Sequence, residues 1–280
     1  MSTLAENQLC GMNFHYFRHS FSRFLDDVAE AGLSRVELWG AQPHFHLGDP
    51  WLQQARKIRD DIRARGLELV CFTPEQCVYP INIAAEEAVI RERSLRYFLD
   101  SLSACVELES PYLLVTPGWG YADQDAGEAW KRSAEGLSLL CRHAERLGIV
   151  LLLEPLTRAE SNVINTSGDL ARMMEELRSP AVKAILDTAA MVAAGETIGD
   201  YLGRFGPDLA HVHFIDGDDA GAHLAWGDGS YPLHTFLAEL QGGGYAGSLS
   251  FEFTSSKYWL DPLPPMRDSA ILIRRELQAL

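Results

Sequence analysis

Four residues end runs of apolar residues and carry side chains that bind metals or move protons. They are Glu154 in VLLLEPL, Asp187 in KAILDTA, His213 in AHVHFID and Glu252 in SLSFEF. Side chains alternate across a β-strand, so each can face one side while its predecessor, Leu153, Leu186, Val212 or Phe251, faces the other. Three carboxylates converging at low dielectric repel one another, which is tolerable when a cation neutralises them or some are protonated. A single bound divalent ion is the simpler solution. Oxygen donors with one imidazole suit Mn²⁺ first and also Co²⁺, Fe²⁺ or Zn²⁺, and the lack of thiolates argues against structural zinc. One acid after an apolar run is more often an N-cap or an ion-pair partner than a ligand. Four such residues at the same place on four successive runs call for a common explanation.

Positioning these residues requires a repeating frame. Short apolar runs alternate with longer segments of helical period eight times along the chain. The strands fall at 9–14, 35–38, 68–72, 112–116, 150–154, 183–187, 210–214 and 248–253. The helices follow at 20–31, 50–65, 85–107, 128–147, 167–178, 197–205, 232–241 and 266–279. Gly32, Gly66, Gly148, Gly206 and the 242–244 glycine run suit helix C-termini, and the fifth helix stops before Pro180. Strict β/α alternation implies a parallel sheet, and eight units fit a closed (β/α)₈ TIM barrel better than an open sheet. With no linker or shift in composition, residues 1–280 read as a single domain. No G-x-G-x-x-G follows the first strand and no G-x-x-x-x-G-K-[ST] occurs, so nucleotide-binding folds lose their usual signature. Barrels of this kind place their chemistry at the carboxyl ends of the strands, where the four residues lie.

Composition excludes several classes. A net charge of −15 disfavours a nucleic-acid partner, since phosphate backbones are bound through Lys and Arg. The cysteines, Cys10, Cys71, Cys77, Cys105 and Cys141, contain no C-x-x-C pair and read as buried free thiols. The N-terminal stretch lacks a basic segment followed by an apolar one, and no run reaches the ~20 apolar residues of a membrane span. A cytoplasmic protein with no membrane partner is expected.

Longer motifs add a family. LEPLTRAESN at 153–162, VELWGAQPHF at 36–45, TPEQCVYPIN at 73–82, and the HVHFIDGD region at 211–218 resemble the xylose-isomerase-like barrels. Within these the resemblance is to the sugar 3-epimerases of the tagatose type and, more closely, of the fructoselysine type. It spans the whole chain. The resemblance implies an isomerase that inverts C3 of a ketose or ketosamine through a cis-enediolate. Glu154 and Glu252 would be both metal ligands and the proton-transfer pair, one working on each face of C3, with no organic cofactor. It also implies that Glu160 contacts the sugar and that the chain forms a homodimer or tetramer. Two positions depart from the tagatose type: Ala190 stands where a substrate-binding His is usual, and Trp226-Gly227 replaces a Pro-Gly turn.

Other residues have weaker claims. Trp39, Trp119 and Trp226 sit where an aromatic face can cover a sugar, or pack beneath loops. His223 could replace the missing sugar contact. His44 and His46 lie on a loop where histidines are usually only solvated. Glu37 and His211 read as support beneath the site. Glu75, Asp123, Asp216 and Asp218 are acids on mouth loops that could meet a substrate ammonium group. Competing functions are an aldose–ketose isomerase of the hydroxypyruvate-isomerase kind or an inosose dehydratase on the same metal, an AP-endonuclease-like enzyme, and a non-catalytic sugar-binding barrel.

Overall fold

Eight apolar runs become parallel strands in the computed structural model, which describes residues 4–76, 80–218 and 221–280. They are β1 Leu9–Met12, β2 Arg35–Gly40, β3 Glu68–Pro74, β4 Tyr112–Val115, β5 Val150–Leu153, β6 Val182–Asp187, β7 Leu209–His213 and β8 Ser248–Phe251. Neighbours in sequence pair, and β8 closes on β1 to complete the expected barrel.

The helices around it are α1 Phe21–Glu30, α2 Trp51–Arg63, α3 Ala88–Leu108, α4 Ala126–Leu147, α5 Ser167–Leu177, α6 Thr188–Ala193, α7 Ile198–Phe205, α8 Leu233–Gly242 and α9 Leu263–Gln278. Boundaries differ from the sequence expectation by up to three residues. Helix α4 ends as expected, at Gly148 with φ 70°, a conformation that costs glycine no Cβ clash. Helix α6 was not expected, because TAAMVA lacks a polar face. Asp187 creates it locally: its carboxylate accepts the Ala190 backbone N–H at 2.7 Å and caps the first turn.

The alternation of side chains holds at the strand ends. Leu153, Leu186, Val212 and Phe251 belong to the core between strands and helices. Leu152 and Ile185 instead fill the barrel interior with Cys10, Cys71 and Leu114. Truncating a fully buried leucine such as Leu153 typically costs about 2–5 kcal/mol, so these residues hold the strand ends in register. Opposite Val36 and Glu37 of β2 the register passes over Val70 of β3, and opposite Ala184 and Ile185 of β6 it passes over Ala210 of β7. Such irregularities re-aim the rest of a strand, and here they set Glu37 opposite Cys71 and Asp187 opposite His213. Cys10, Cys71, Cys105 and Cys141 are buried free thiols, while Cys77 lies outside the described residues. Among the described residues no helix is long and apolar enough to cross a membrane.

Candidate active site

Glu154, Asp187, His213 and Glu252 converge at the carboxyl ends of β5 to β8, with one ligand atom from each lying within 4.8 Å of the others. His213 Nδ1 is 2.9 Å from Glu154 Oε1, 3.1 Å from Glu252 Oε2 and 3.9 Å from Asp187 Oδ2. Metal–ligand bonds of about 2.1 Å set neighbouring donors roughly 3 to 3.5 Å apart, so the spacing suits one ion. Burial pushes Glu154 up to about 7 and raises Asp187, with Glu252 adding to both shifts. Burial also opposes charge on Glu252, yet His213 and His223 outweigh it and hold this carboxylate down to about 2. Asp187 Oδ2 and His213 Nδ1 are buried without a hydrogen-bond partner of adequate geometry. Orphaned polar atoms aimed at one point are what a cation would satisfy, and the donor set fits a divalent metal.

The layer below explains which imidazole nitrogen faces the acids. Glu37 is fully buried and sits 2.8 Å from His211 Nε2 through Oε2 and 3.1 Å from His213 Nε2 through Oε1. Thr73 Oγ1 also donates to Oε1. Burial opposes charge on Glu37, but His213 and His211 together outweigh it and hold the carboxylate well below its ordinary range. With Nε2–H given to Glu37, His213 presents Nδ1 to the mouth, the tautomer a metal ligand needs. The expectation that Glu37 and His211 act as support beneath the site agrees with this packing.

A cavity of about 350 Å³ is lined by Glu154, Asp187 and Glu252 together with Phe14, Trp39, Glu75, Glu160, Ala190 and His223. The sequence pattern of the xylose isomerase-like TIM barrel matches residues 25–276. The chain belongs to this family. It is 28% identical to the fructoselysine 3-epimerase of Escherichia coli O157:H7, over 88% of both chains. It is 24% identical to the D-psicose 3-epimerase of Agrobacterium fabrum, over 86% of this chain and 83% of that one. The crystal structure of 3-keto-D-glucoside 4-epimerase from E. coli superposes with a TM-score of 0.80 at 22% identity, covering 96% of this chain and 99% of that one. These relatives are carbohydrate epimerases, in line with the expectation of an isomerase.

Against the family's pattern the remaining residues divide. Trp39 packs on Phe14 with ring centroids 4.3 Å apart and planes tilted by 37°, and donates from Nε1 to Glu75 Oε2 at 2.6 Å, so it walls the cavity. His223 reaches the centre, its Nδ1 3.1 Å from Glu252 Oε2; burial opposes its charge, but Asp187 and Glu252 outweigh that and lift the imidazole to about 9. Glu160 stands at the rim, where its Oε2 accepts from Thr157 N and Oγ1. Trp119 is not brought to the mouth. Asn82 binds its backbone on both sides, and the residue lines a separate small cavity with Pro80 and Tyr121. Trp226 is packing: buried, tilted against the Phe214 ring and donating to Phe214 O.

Two loop expectations change for the same reason, that polar groups of the protein claim the side chain. His44 is buried between Asn13 and the His19 carbonyl, at 2.8 Å from each. Asp216 accepts the backbone N–H groups of Gly217, Gly227, Gly229 and Tyr231 and so ties down the loop after β7. A Cβ on Gly229 would lie 2.5 Å from Asp216 Oδ1, which makes glycine necessary there. Phe14 and Thr254 line the cavity without having been singled out from the sequence. The only signal for them was their position two residues after an inward-facing strand residue.

Proposed function

We propose that this protein is a metal-dependent epimerase that inverts C3 of a ketose or ketosamine. The observation that supports this most is the pair of carboxylates, Glu154 and Glu252, reaching one centre from strands three places apart around the barrel. Inversion needs a proton removed on one face of a carbon and supplied on the other, and two acids flanking one centre can divide that work. Glu154, Asp187, His213 and Glu252 would hold a divalent ion, Mn²⁺ being the best match to this donor set, which would act as a Lewis acid toward the carbonyl beside the reacting carbon.

The chain's own residues supply the rest. Glu37 orients His213. Trp39 and Phe14 present aromatic faces that exclude water from the C–H bond to be broken. His223 can donate to a sugar oxygen from the side where Ala190 leaves space. The sugar 3-epimerase relatives support the reaction class. The test is proton NMR in D₂O with Mn²⁺, a ketohexose and a ketosamine. Loss of the C3 proton signal is the expected result. Exchange at C1 or C2 would instead indicate an aldose–ketose isomerase, and no exchange with either sugar would overturn the reading.

A further inference from the structure

His223 meets Glu252 from an irregular segment, residues 221–228 in the loop after β7. Loops are ordinarily more mobile than the strands they join, so this imidazole needs a reason to stand 3.1 Å from the carboxylate. Backbone pairing fixes one side of the segment. Leu224 and Asp216 exchange both N–H to O bonds, at 2.8 and 2.9 Å.

The other side is fixed by the loop after β8, the loop that begins with Glu252 itself. Thr254 N donates to His223 O at 3.3 Å. Tyr258 is buried and lies against Phe253 with ring centroids 5.9 Å apart. Its hydroxyl works in both directions: Oη accepts the Ala225 N–H at 2.8 Å and donates to Asp228 Oδ2 at 2.7 Å. Lys257 pairs with the same Asp228 oxygen at 3.1 Å, but both side chains are nearly half exposed, so that pair contributes little. A phenylalanine ring would fill the space of Tyr258 equally well. Core packing therefore explains the ring and leaves the hydroxyl to be explained.

We infer that Tyr258 is a positioning residue for the reaction. Its hydroxyl ties the His223 segment to the loop that carries Glu252, so that imidazole and carboxylate keep one spacing. A substrate then meets a donor already in place, and the cost of ordering the segment falls on folding and not on binding. This inference rests on the epimerase reading, in which His223 donates to a sugar oxygen.

The test is a double-mutant cycle on the full chain with Mn²⁺, following C3 exchange in D-fructose and in a ketosamine. Tyr258→Phe should lower kcat/KM about tenfold, within the range that a small misplacement costs. In a His223→Ala background the same substitution should have almost no effect, because the group it positions is gone. A merely structural hydroxyl would give the same loss in both backgrounds. Asp228→Asn keeps an acceptor for the hydroxyl and should retain most of the activity that Asp228→Ala loses, which tests the same link from its other end. Two measurements besides turnover accompany the cycle. Hydrogen exchange read by mass spectrometry should show residues 221–228 losing protection in Tyr258→Phe while β7 keeps its own. Calorimetric titration should give Tyr258→Phe the Mn²⁺ affinity of the parent, since the four acid-cluster residues are untouched. Additive losses in the cycle, unchanged protection at 221–228, or weakened Mn²⁺ binding would overturn the inference and leave the epimerase reading in place. A parent protein silent at C3 with both sugars would remove that reading, and the inference with it.

Discussion

The two halves of the barrel mouth are built from different materials. The half over β5 to β8 carries Glu154, Asp187, His213 and Glu252, no more than 16% exposed, with polar atoms that lack partners. The half over β1 to β4 presents Phe14, Trp39, Pro74 and Leu114, and its polar groups are mostly satisfied, as with Asn13, whose amide serves Trp39 and His44. Unsatisfied charge is tolerated where a cation and a reaction can use it, and apolar surface collects where a substrate must be held away from water. One half is suited to chemistry and the other to recognition.

That contrast can be broken most severely at the acids. Glu252→Gln or Glu154→Gln should lower C3 exchange by about a hundredfold to ten-thousandfold, the usual worth of a positioned acid or base. A rate within tenfold of the parent would show that the charged half does not carry the reaction. Beneath it, Glu37→Gln should weaken Mn²⁺ binding about tenfold to a hundredfold in a calorimetric titration, because His213 loses the carboxylate that fixes its orientation. Unchanged affinity would mean that Glu37 supports the fold alone.

The neutral half has its own titratable weak point. His15 is fully buried against Pro262 O, and burial lowers its pKa to about 3. A histidine held neutral in the fold binds its proton more readily when unfolded, so stability is complete above the unfolded pKa near 6.5 and falls as pH drops from there toward 3. By pH 5 the loss from this group should be about 2 kcal/mol. Urea unfolding at pH 7 and pH 5 should show His15→Gln losing less across that interval than the parent, and equal losses would place the acid sensitivity elsewhere. The smallest effect belongs to Trp39→Phe, which keeps the aromatic wall but removes the hydrogen bond to Glu75. A hydrogen bond to a charged group contributes about 1.5–3 kcal/mol, of which only part reaches the substrate once water takes the place of the indole N–H at Glu75, so KM should rise about threefold with kcat nearly unchanged. Equal falls in kcat and kcat/KM would move Trp39 from recognition to chemistry.

The charged half was legible in the sequence because each of its members obeys a local rule. An acid or imidazole ending an apolar run of alternating side chains must face the barrel axis, and four successive runs repeat the pattern. The neutral half was harder to read. Trp39 and Trp119 both lie just past the strands expected from the sequence, yet only Trp39, which falls inside β2, reaches the cavity, while Asn82, from a loop thirty-seven residues earlier, claims the Trp119 backbone. Asp216 offered the same ambiguity, and the backbone amides that take up its carboxylate come from a turn up to fifteen residues away. Helix α6 escaped notice because the residue that caps it, Asp187, already had a reason to be there.

The alternating pattern, the β/α repeat and the four residues at the strand ends were determined by the sequence itself, since strand period and strand-end position are properties of short segments. Only the tertiary structure decided that Glu37 on β2 reaches His213 on β7 and that His223, from the loop after β7, meets Glu252 and lines one cavity with Ala190. These are meetings between segments far apart in the chain. Closure of the barrel creates them, and no local rule encodes where two loops will meet.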